Sequence, residues 1–247
     1  MLRMDTKKGL TMTTSLLPPY RETGFVVVPS PFAPHEIDAW ANEADLAITS
    51  AHARPEQVAL SGRTHLTQGF VLDRIDMAAA RSALFRTLAG DPRILDLASQ
   101  LLETPATLAK DKLITKPPGT HGYLPHQDYP YWEYLGLPPH HLVSALIAID
   151  PCDEHNGALE VYPGLHHERL PSPPDAPLDT DPACLAGKPW SRIDMNPGDI
   201  LFFHSLTPHK SGINHSTRSR RSLFLTYAPA SYPRIYERFQ TEKRPAS

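Results

Sequence analysis

The stretch GDILFFHSLTPHKSGINHSTRSRRSLFLTYAP, residues 198–229, decides the fold, because it holds two apolar segments separated by a polar, turn-rich one. Residues 200–204 and 222–227 are rich in apolar and aromatic side chains, which predicts two strands. Comparable short segments, bounded by Gly, Pro or Asn, precede them at residues 108–116, 142–149 and 158–162. Short strands at such intervals are typical of an antiparallel sandwich or barrel.

The first hundred residues have a helical pattern instead. Pro34 begins a segment in which apolar residues recur at helical spacing, and residues 75–90 and 91–104 repeat this pattern. In the last of these segments, Asp91 and Pro92 are typical of an N-cap followed by the first helical turn. Helices first and strands later predict an α+β protein with a mainly β core and flanking N-terminal helices.

The organisation along the chain indicates one domain. We expect a flexible N-terminus over residues 1–20 and a single domain over residues 21–240, since no linker interrupts that range. Within it, residues 171–190 are long and rich in proline, which predicts a lid loop on the surface.

The composition excludes several classes of function. Apolar residues make up 40% of the chain, the formal net charge is −3, and no basic stripe or membrane-length apolar run is present, so neither nucleic acid nor a membrane is an expected partner. The N-terminus lacks the apolar core of a secretory signal. Cys152 and Cys184 do not resemble a disulfide framework or a zinc site. We therefore expect a cytoplasmic protein that is a monomer or homodimer.

A histidine and an aspartate lie two residues apart in HQDYPYW, residues 126–132. A chain with 13 histidines contains such a pair by chance, and His166 with Glu168 is a rival of the same form. A non-haem Fe(II) oxygenase centre takes two imidazoles and one carboxylate on one face and leaves positions open for a co-substrate and dioxygen. Ligands two apart on an extended segment point to the same side, so one such pair provides two of the three.

The third ligand and an anchor for a dicarboxylate co-substrate are expected from a distant strand, and residues 198–229 fit that demand. His209 lies just beyond the first strand of this stretch, and Arg220 precedes the second. A guanidinium group holds a carboxylate through two parallel hydrogen bonds. Ser211 adds a hydroxyl donor. Arg221 is the next residue along the strand, where side chains alternate, so it is expected to point away from the site.

Together these motifs resemble the phytanoyl-CoA hydroxylase-like (PhyH) group of Fe(II)/2-oxoglutarate-dependent dioxygenases. The matching segments are KPPG before HQDYPYW, then NGALEVYPGLHH, then PGDILFFHSLTPHKSGINHSTRSRRSLFLTY, with a fainter match at GFVVVPSPFAPHEID. They follow the family's order over roughly residues 106–228. The resemblance implies a double-stranded β-helix, the jelly-roll or cupin-like fold, with helices packed against one sheet.

The resemblance also implies roles for individual residues. Fe(II) would be bound by His126, Asp128 and His209, whereas the rival pair falls in a turn that the family does not use for metal. Arg220 would bind the distal carboxylate of 2-oxoglutarate, and Ser211 would assist. A carboxylate at position 128 favours hydroxylation over halogenation, because related halogenases have a small residue there.

Further residues extend the predicted site. Lys112, on the strand before the HQD motif, is a candidate contact for 2-oxoglutarate or a solvated charge. Tyr129, Tyr131 and Trp132 form either an aromatic wall for the substrate or part of the core. Lys210 faces either an anionic substrate or solvent.

The favoured function is therefore hydroxylation of a small-molecule metabolite, with 2-oxoglutarate and O₂ as co-substrates and succinate and CO₂ as products. The compact relatives act on small metabolites, among them phosphonate- and ectoine-like compounds. The alternative is a non-catalytic or isomerase-like metal-binding jelly-roll protein. A protein that only binds metal does not need a carboxylate clamp, so the pairing of Arg220 with Ser211 favours the dioxygenase.

Overall fold

The computed structural model describes residues 15–53, 60–65 and 69–241. Its helices are α1 Leu17–Thr23, α2 Pro34–Ala53, α3 Ala78–Arg81, α4 Ala83–Ala89, α5 Pro92–Leu102, α6 Pro182–Leu185 and α7 Ile235–Thr241. Its strands are β1 Phe25–Val28, β2 Leu60–His65, β3 Gly69–Asp76, β4 Ala106–Ile114, β5 Val143–Ala148, β6 Leu159–Val161, β7 Ser191–Arg192, β8 Ile200–His204, β9 His209–Ser211 and β10 Ser222–Pro229. Across these described ranges, every helix is too short or too polar to cross a lipid bilayer.

The described strands form two antiparallel sheets. The larger sheet has the order β1-β8-β5-β10-β4-β3-β2, and the smaller has the order β7-β6-β9. Several neighbouring strands are distant in sequence: β8 lies between β1 and β5, and β10 lies between β5 and β4. Such long crossovers between two packed sheets are typical of a jelly roll. The expected fold class, with helices flanking a mainly β core, is confirmed.

The two faces of the larger sheet pack against different layers. Side chains alternate along a strand, so on β10 Leu223, Leu225 and Tyr227 face the helices, whereas Phe224 faces the smaller sheet. The hydroxyl of Tyr227 donates to the carbonyl of Ala89 at 2.9 Å and so fixes α4 on the sheet. Because the helices cover one face, polar side chains between the sheets lie on the other.

A β-bulge interrupts β4. Thr226 of β10 pairs with Lys110 and the next residue, Tyr227, pairs with Leu108, so Ala109 is the extra residue. Leu108 packs against the core on the helix side. Lys110 follows the bulge and lies two residues before Lys112. The two lysines are therefore on the same face of β4, the face that points into the space between the sheets.

The N-terminal half differs from the expectation in two places. Residues 60–65 and 69–76 form the paired strands β2 and β3, which the sequence pattern did not indicate. The predicted helix over residues 75–90 begins after β3 and breaks at Ser82, which is extended (φ −118°, ψ 125°) and separates α3 from α4. The Ser82 hydroxyl accepts from the N–H of Phe85 at 3.2 Å, so it ends one helix and caps the next.

The N-terminal boundary also differs. Residues 17–23 form α1, and Tyr20 is buried in the main core, which differs from the flexible segment expected over residues 1–20. Residues 1–14 lie outside the described ranges. The remaining expectations hold: the predicted strands are present, and the Asp91 carboxylate caps α5 by accepting from the N–H of Arg93 at 2.8 Å. The single domain over residues 21–240 stays a prediction.

Candidate metal centre

Three side chains from two distant segments converge. His126 and Asp128 lie in the loop after β4, and His209 begins β9. Their ligand atoms all lie within 4.8 Å of one another, and no other three His, Cys, Asp or Glu residues of the described ranges do so. Nε2 of His126 is 3.9 Å from Oδ1 of Asp128, and the ring centres of His126 and His209 are 4.2 Å apart. The structure therefore brings together the three residues expected to bind iron.

Backbone carbonyls orient both imidazoles. Nδ1 of His126 lies 2.8 Å from the carbonyl of Leu124, and Nδ1 of His209 lies 2.9 Å from the carbonyl of Thr207. A carbonyl only accepts, so each Nδ1 carries the proton and each Nε2 keeps its lone pair. Burial, followed by the neighbouring His209, lowers the pKa of His126 to about 3, and burial also lowers the pKa of His209. Two neutral imidazoles with free Nε2 atoms fit a divalent metal.

Asp128 is presented by a turn rather than by the extended segment that was expected. Its dihedrals are helical (φ −70°, ψ −35°), and a 3₁₀ turn follows it. Ser144 of β5 donates to Oδ2 at 3.2 Å, so Oδ1 is the atom that faces His126. Burial acts to raise the pKa of Asp128, but His209 and Lys112 bring it below its ordinary value. The carboxylate is therefore ionised, as a metal ligand must be.

Gln127 lies between two of these residues and was not singled out from the sequence. It is 1% exposed, and its amide makes three hydrogen bonds. Nε2 donates to the carbonyls of Glu168 at 2.9 Å and Leu206 at 2.7 Å, while Oε1 accepts from the N–H of Leu170 at 2.8 Å. Leu206 lies in the turn before His209, so Gln127 ties the two segments that carry the candidate ligands.

A buried arginine adjoins the three residues. Arg220 is 3% exposed and lines a cavity together with His126, His209 and Ser211. Its Nη1 donates to the carbonyl of Gly157 at 2.8 Å, but its Nε has no hydrogen-bond partner. A buried guanidinium with an unused donor is costly unless an anion completes it. The cavity therefore fits a ligand that carries a carboxylate, as 2-oxoglutarate does.

Ser211 is held as a donor toward the same cavity. Its hydroxyl oxygen accepts from the N–H of Tyr123 and from Nζ of Lys116, each at 3.1 Å. With both lone pairs used, the hydroxyl proton remains to be donated. Lys116 is buried, and its ammonium also donates to the carbonyls of Gly157 and Gly212. Lys116 thus positions Ser211 rather than lining the cavity.

Lys112 does line this cavity. Its Nζ lies 4.2 Å from the centre of the Phe224 ring, a cation–π distance. Burial, followed by repulsion from Lys110, lowers the pKa of Lys112 to about 7. An anion bound nearby restores the charged form, because opposite charges raise the pKa of a lysine.

Two of the expected substrate contacts differ in their position relative to the centre. Tyr131 meets the ring of His126 edge-on at 5.8 Å, and its hydroxyl lies 3.4 Å from Oδ1 of Asp179. Lys210 lies between two inward-facing residues of β9, so it points the other way. Its Nζ is 3.1 Å from Oε2 of Glu160. The structure places Tyr131 beside the centre and does not bring Lys210 to it.

The other two aromatic residues take part in packing. Trp132 is buried in a cluster with α7, where it meets Phe239 edge-on at 5.8 Å. Tyr129 is partly buried, and its hydroxyl donates to the carbonyl of Leu137 at 3.0 Å. Both side chains therefore support the loop that carries Asp128.

Residues 171–190 reach the centre through their backbone. Asp179 forms an isolated antiparallel bridge with His126, and the N–H of Thr180 donates at 2.8 Å to the carbonyl of the residue before His126. His126 is thus paired with His209 on one side and with this segment on the other. That the segment acts as a lid stays a prediction.

The rival residues lie elsewhere. His166 is buried against His204, with 5.4 Å between ring centres, while Glu168 is exposed. Arg221 forms an ion pair with Asp150 at 2.7 Å and points away from the centre, as the alternation of side chains along a strand predicts.

Comparison with known proteins gives the family. The chain matches the family model for phytanoyl-CoA dioxygenase (PhyH) over residues 20–222. It is 30% identical over 242 residues to the methylphosphonate hydroxylase of Gimesia maris, with 95% of this chain and 87% of that protein covered. It is 35% identical over 136 residues to a 2-aminoethylphosphonate dioxygenase of an uncultured bacterium, but this match covers 54% of this chain and 50% of that protein.

A solved structure has the same fold. The epimerase SnoN, crystallised in complex with Fe³⁺, alpha ketoglutarate and nogalamycin RO, superposes with a TM-score of 0.71 at 24% identity. The match covers 93% of this chain and 89% of that chain. With the family model matching most of its length, the chain belongs to the phytanoyl-CoA dioxygenase (PhyH) family of Fe(II)/2-oxoglutarate-dependent dioxygenases.

Proposed function

We propose that this protein hydroxylates a small phosphonate in a reaction that requires Fe(II) and consumes 2-oxoglutarate and dioxygen. The iron is assigned to His126, Asp128 and His209. The 2-oxoglutarate is assigned to the cavity beside them, where its contacts are Arg220, Ser211 and Lys112.

The observation that supports this assignment is the presence of two incomplete groups in one cavity. Both candidate histidine ligands keep a lone pair on Nε2, and the buried Nε of Arg220 has no acceptor. A ligand that chelates a metal at one end and carries a carboxylate at the other completes both groups. 2-Oxoglutarate has this chemistry, with a keto acid at one end and a second carboxylate at the other.

Bound iron with 2-oxoglutarate and dioxygen would supply the oxidation of a C–H bond to an alcohol, with succinate and CO₂ as co-products. The side chains of the chain orient and shield this chemistry. Ser144 and the two backbone carbonyls hold the candidate ligands in place in advance, so less ordering is needed when metal binds. Leu146, Leu159 and Phe224 form the apolar part of the cavity wall and exclude water from it.

Two observations favour a phosphonate as the substrate. The relatives described above are named for methylphosphonate and 2-aminoethylphosphonate. In addition, Lys110 and Lys112 both act electrostatically on Asp128 from inside the fold, so two lysines adjoin one candidate iron ligand. Lysine side chains in an enclosed site attract an anion.

The test is coupled turnover. The purified protein is loaded with Fe(II) and 2-oxoglutarate without oxygen, mixed with methylphosphonate or 2-aminoethylphosphonate, and exposed to air. We expect succinate and the hydroxylated phosphonate in equal amounts for at least one of the two. His126→Ala should abolish both products, whereas His140→Ala, which changes an exposed histidine, should retain them.

The outcomes separate the parts of the proposal. Succinate without a hydroxylated phosphonate would reject these substrates and leave the 2-oxoglutarate site in place. Absence of succinate together with absence of 2-oxoglutarate binding would reject the assignment of Arg220 and Ser211.

A further inference from the structure

Asp179 lies beside the candidate metal centre, on the same face as two of its ligands. His126 forms an antiparallel bridge with His209 on one side and with Asp179 on the other. Residues directly opposite each other in an antiparallel pair carry their side chains on the same face. Because the side chains of His126 and His209 point to the centre, the carboxylate of Asp179 projects to that side as well.

The type of bridge brings the side chain of Asp179 close to that of His126. His126 and His209 exchange both of their backbone hydrogen bonds, so the backbone groups of His126 are used on that side. On the other side the hydrogen bond joins flanking residues, from the N–H of Thr180 to the carbonyl of Pro125 at 2.8 Å. Asp179 and His126 are therefore a non-hydrogen-bonded pair, in which Cα atoms are about 4.5 Å apart and side chains approach most closely.

The carboxylate of Asp179 has no cationic partner. No lysine or arginine of the described ranges forms an ion pair with it, and its Oδ1 lies 3.4 Å from the hydroxyl of Tyr131. The ring of Tyr131 meets that of His126 edge-on at 5.8 Å. A carboxylate beside an aromatic ring suits an ammonium group, which gains an ion pair from the one and a cation–π contact from the other.

The centre is most accessible on this side. His126 retains 13% of its side-chain exposure, whereas Asp128 retains 6% and His209 is buried. Tyr131 is exposed and Asp179 is partly buried. A substrate that approaches the centre past His126 therefore meets these two residues, and neither of them lines the cavity assigned to 2-oxoglutarate.

Other carboxylates near the space between the sheets are engaged. Asp73 accepts from the hydroxyl of Tyr123 at 2.7 Å, and Asp76 pairs with Nε of Arg74 at 3.1 Å. Among these described residues, Asp179 is the one whose charge is left for a ligand.

We infer that Asp179 binds an ammonium group of the substrate, so that the substrate is a small zwitterion, an aminoalkylphosphonate rather than an alkylphosphonate. This inference rests on the function proposed above and narrows it. The ammonium would lie against Asp179 and Tyr131, and the carbon chain would extend from there toward the iron ligands. Asp179 thereby selects for charge at the end of the molecule that is remote from phosphorus.

The test compares wild type, Asp179→Asn, Asp179→Glu and Asp175→Asn as Mn(II)- and 2-oxoglutarate-loaded proteins without oxygen. Two probes of equal size differ in charge, because 2-aminoethylphosphonate carries an ammonium where propylphosphonate has a methyl group. Binding of each probe is followed by ³¹P NMR line broadening, and calorimetry gives the affinities for Mn(II) and 2-oxoglutarate. Asp175→Asn is the matched control, since it removes an exposed carboxylate of the same proline-rich segment.

Wild type should bind 2-aminoethylphosphonate about tenfold or more tightly than propylphosphonate, because the methyl group leaves the Asp179 carboxylate without a partner. Asp179→Asn should lose this preference and keep its affinities for propylphosphonate, Mn(II) and 2-oxoglutarate. Asp179→Glu, which keeps the charge, and Asp175→Asn should both retain the preference. In air, the KM for 2-aminoethylphosphonate should rise in Asp179→Asn.

Three results would overturn the inference and leave the proposed function intact. The first is an unchanged preference for the ammonium compound in Asp179→Asn. The second is an equal loss of preference in Asp175→Asn, which would assign the effect to the general charge of the segment. The third is a loss of Mn(II) affinity in Asp179→Asn, because Asp179 would then position His126 instead of binding substrate.

The behaviour of wild type separates the inference from the proposed function. If wild type binds 2-aminoethylphosphonate through Asp179 but forms no hydroxylated product, the proposed reaction fails and the ammonium site stands. If wild type binds neither phosphonate, the proposed substrate and the role of Asp179 are both rejected.

Discussion

His126 and His209 exchange both of their backbone hydrogen bonds. The N–H of His126 donates to the carbonyl of His209 at 3.0 Å, and the N–H of His209 donates to the carbonyl of His126 at 2.9 Å. This bridge fixes the two main chains, while the carbonyls of Leu124 and Thr207 fix the two rings. Two of the three candidate iron ligands are therefore arranged by the backbone before any metal binds.

The hydroxyl of Ser144 should contribute to metal affinity. Ser144→Ala removes the hydrogen bond to Oδ2 of Asp128 and lets the carboxylate rotate. We expect the affinity for Fe(II) or Mn(II) to fall by about 10- to 100-fold, the usual effect of losing an outer-shell partner. Metal titration under anaerobic conditions measures this loss.

Ser82→Ala is the control for that experiment. It removes a buried serine hydroxyl that caps α4, so it should cost about 0.5–2 kcal/mol of unfolding free energy without changing metal affinity. If both variants lose metal affinity alike, the effect of Ser144 is general destabilisation.

Arg220 and Arg221 form a matched pair of adjacent arginines. Arg220→Lys should weaken 2-oxoglutarate binding by about tenfold or more, because an ammonium does not reproduce the two parallel bonds of a guanidinium. Arg221→Lys should leave that affinity unchanged and lower the melting temperature, since Arg221 pairs with Asp150 and Asp45. Calorimetry with the Mn(II)-loaded protein distinguishes them, and the reverse pattern would show that Arg221 is the anchor.

Lys112 should make 2-oxoglutarate binding depend on pH. A lysine is charged below its pKa, and burial lowers the pKa of Lys112 to about 7, so its charged fraction falls between pH 6 and pH 8. The affinity for the dianion should therefore weaken as the pH rises through this window, by at most about tenfold per unit above the pKa. In Lys112→Arg the charge persists throughout, and the profile should be flat. An identical slope in both proteins would assign the dependence to another group.

The buried amide of Gln127 should couple fold stability to metal binding. Gln127→Met keeps the size of the side chain and removes three hydrogen bonds, which should cost about 1.5–4 kcal/mol of unfolding free energy. Metal affinity should fall as well, because the turn before His209 loses its tie to the HQD segment. Gln100→Met changes an exposed glutamine of α5 and should change neither quantity. A loss of stability with wild-type metal affinity would limit Gln127 to a structural role.

The candidate ligands could be predicted because their chemistry restricts residue type and spacing. The His-x-Asp pair alone occurs by chance, and it became recognisable only together with the later histidine, the arginine before the last strand and the resemblance to the family. Ser144 and Gln127 could not be found in the same way. Ser144 belongs to a buried strand and Gln127 separates two ligands, and the partners of both come from segments distant in sequence.

The end of β3 was missed for a different reason. Residues 75–90 are rich in alanine and have helical periodicity, which favoured a helix over the whole segment. The pairing of Ile75 with Leu113 and of Asp76 with Lys112 keeps the first two residues in a strand. Tertiary pairing thus overrides local propensity, and single-sequence patterns do not contain that information.

The bulge at Ala109 gives β4 a place where its length can change. Because side chains alternate, deleting one residue from a strand exchanges the faces of all residues on one side of the deletion. Removal of Ala109 would instead make Leu108 and Lys110 sequence neighbours, which point to opposite faces of a regular strand, so both would keep their present layers. The strand can therefore lose this one residue without moving a lysine out of the space between the sheets and without replacing any candidate ligand.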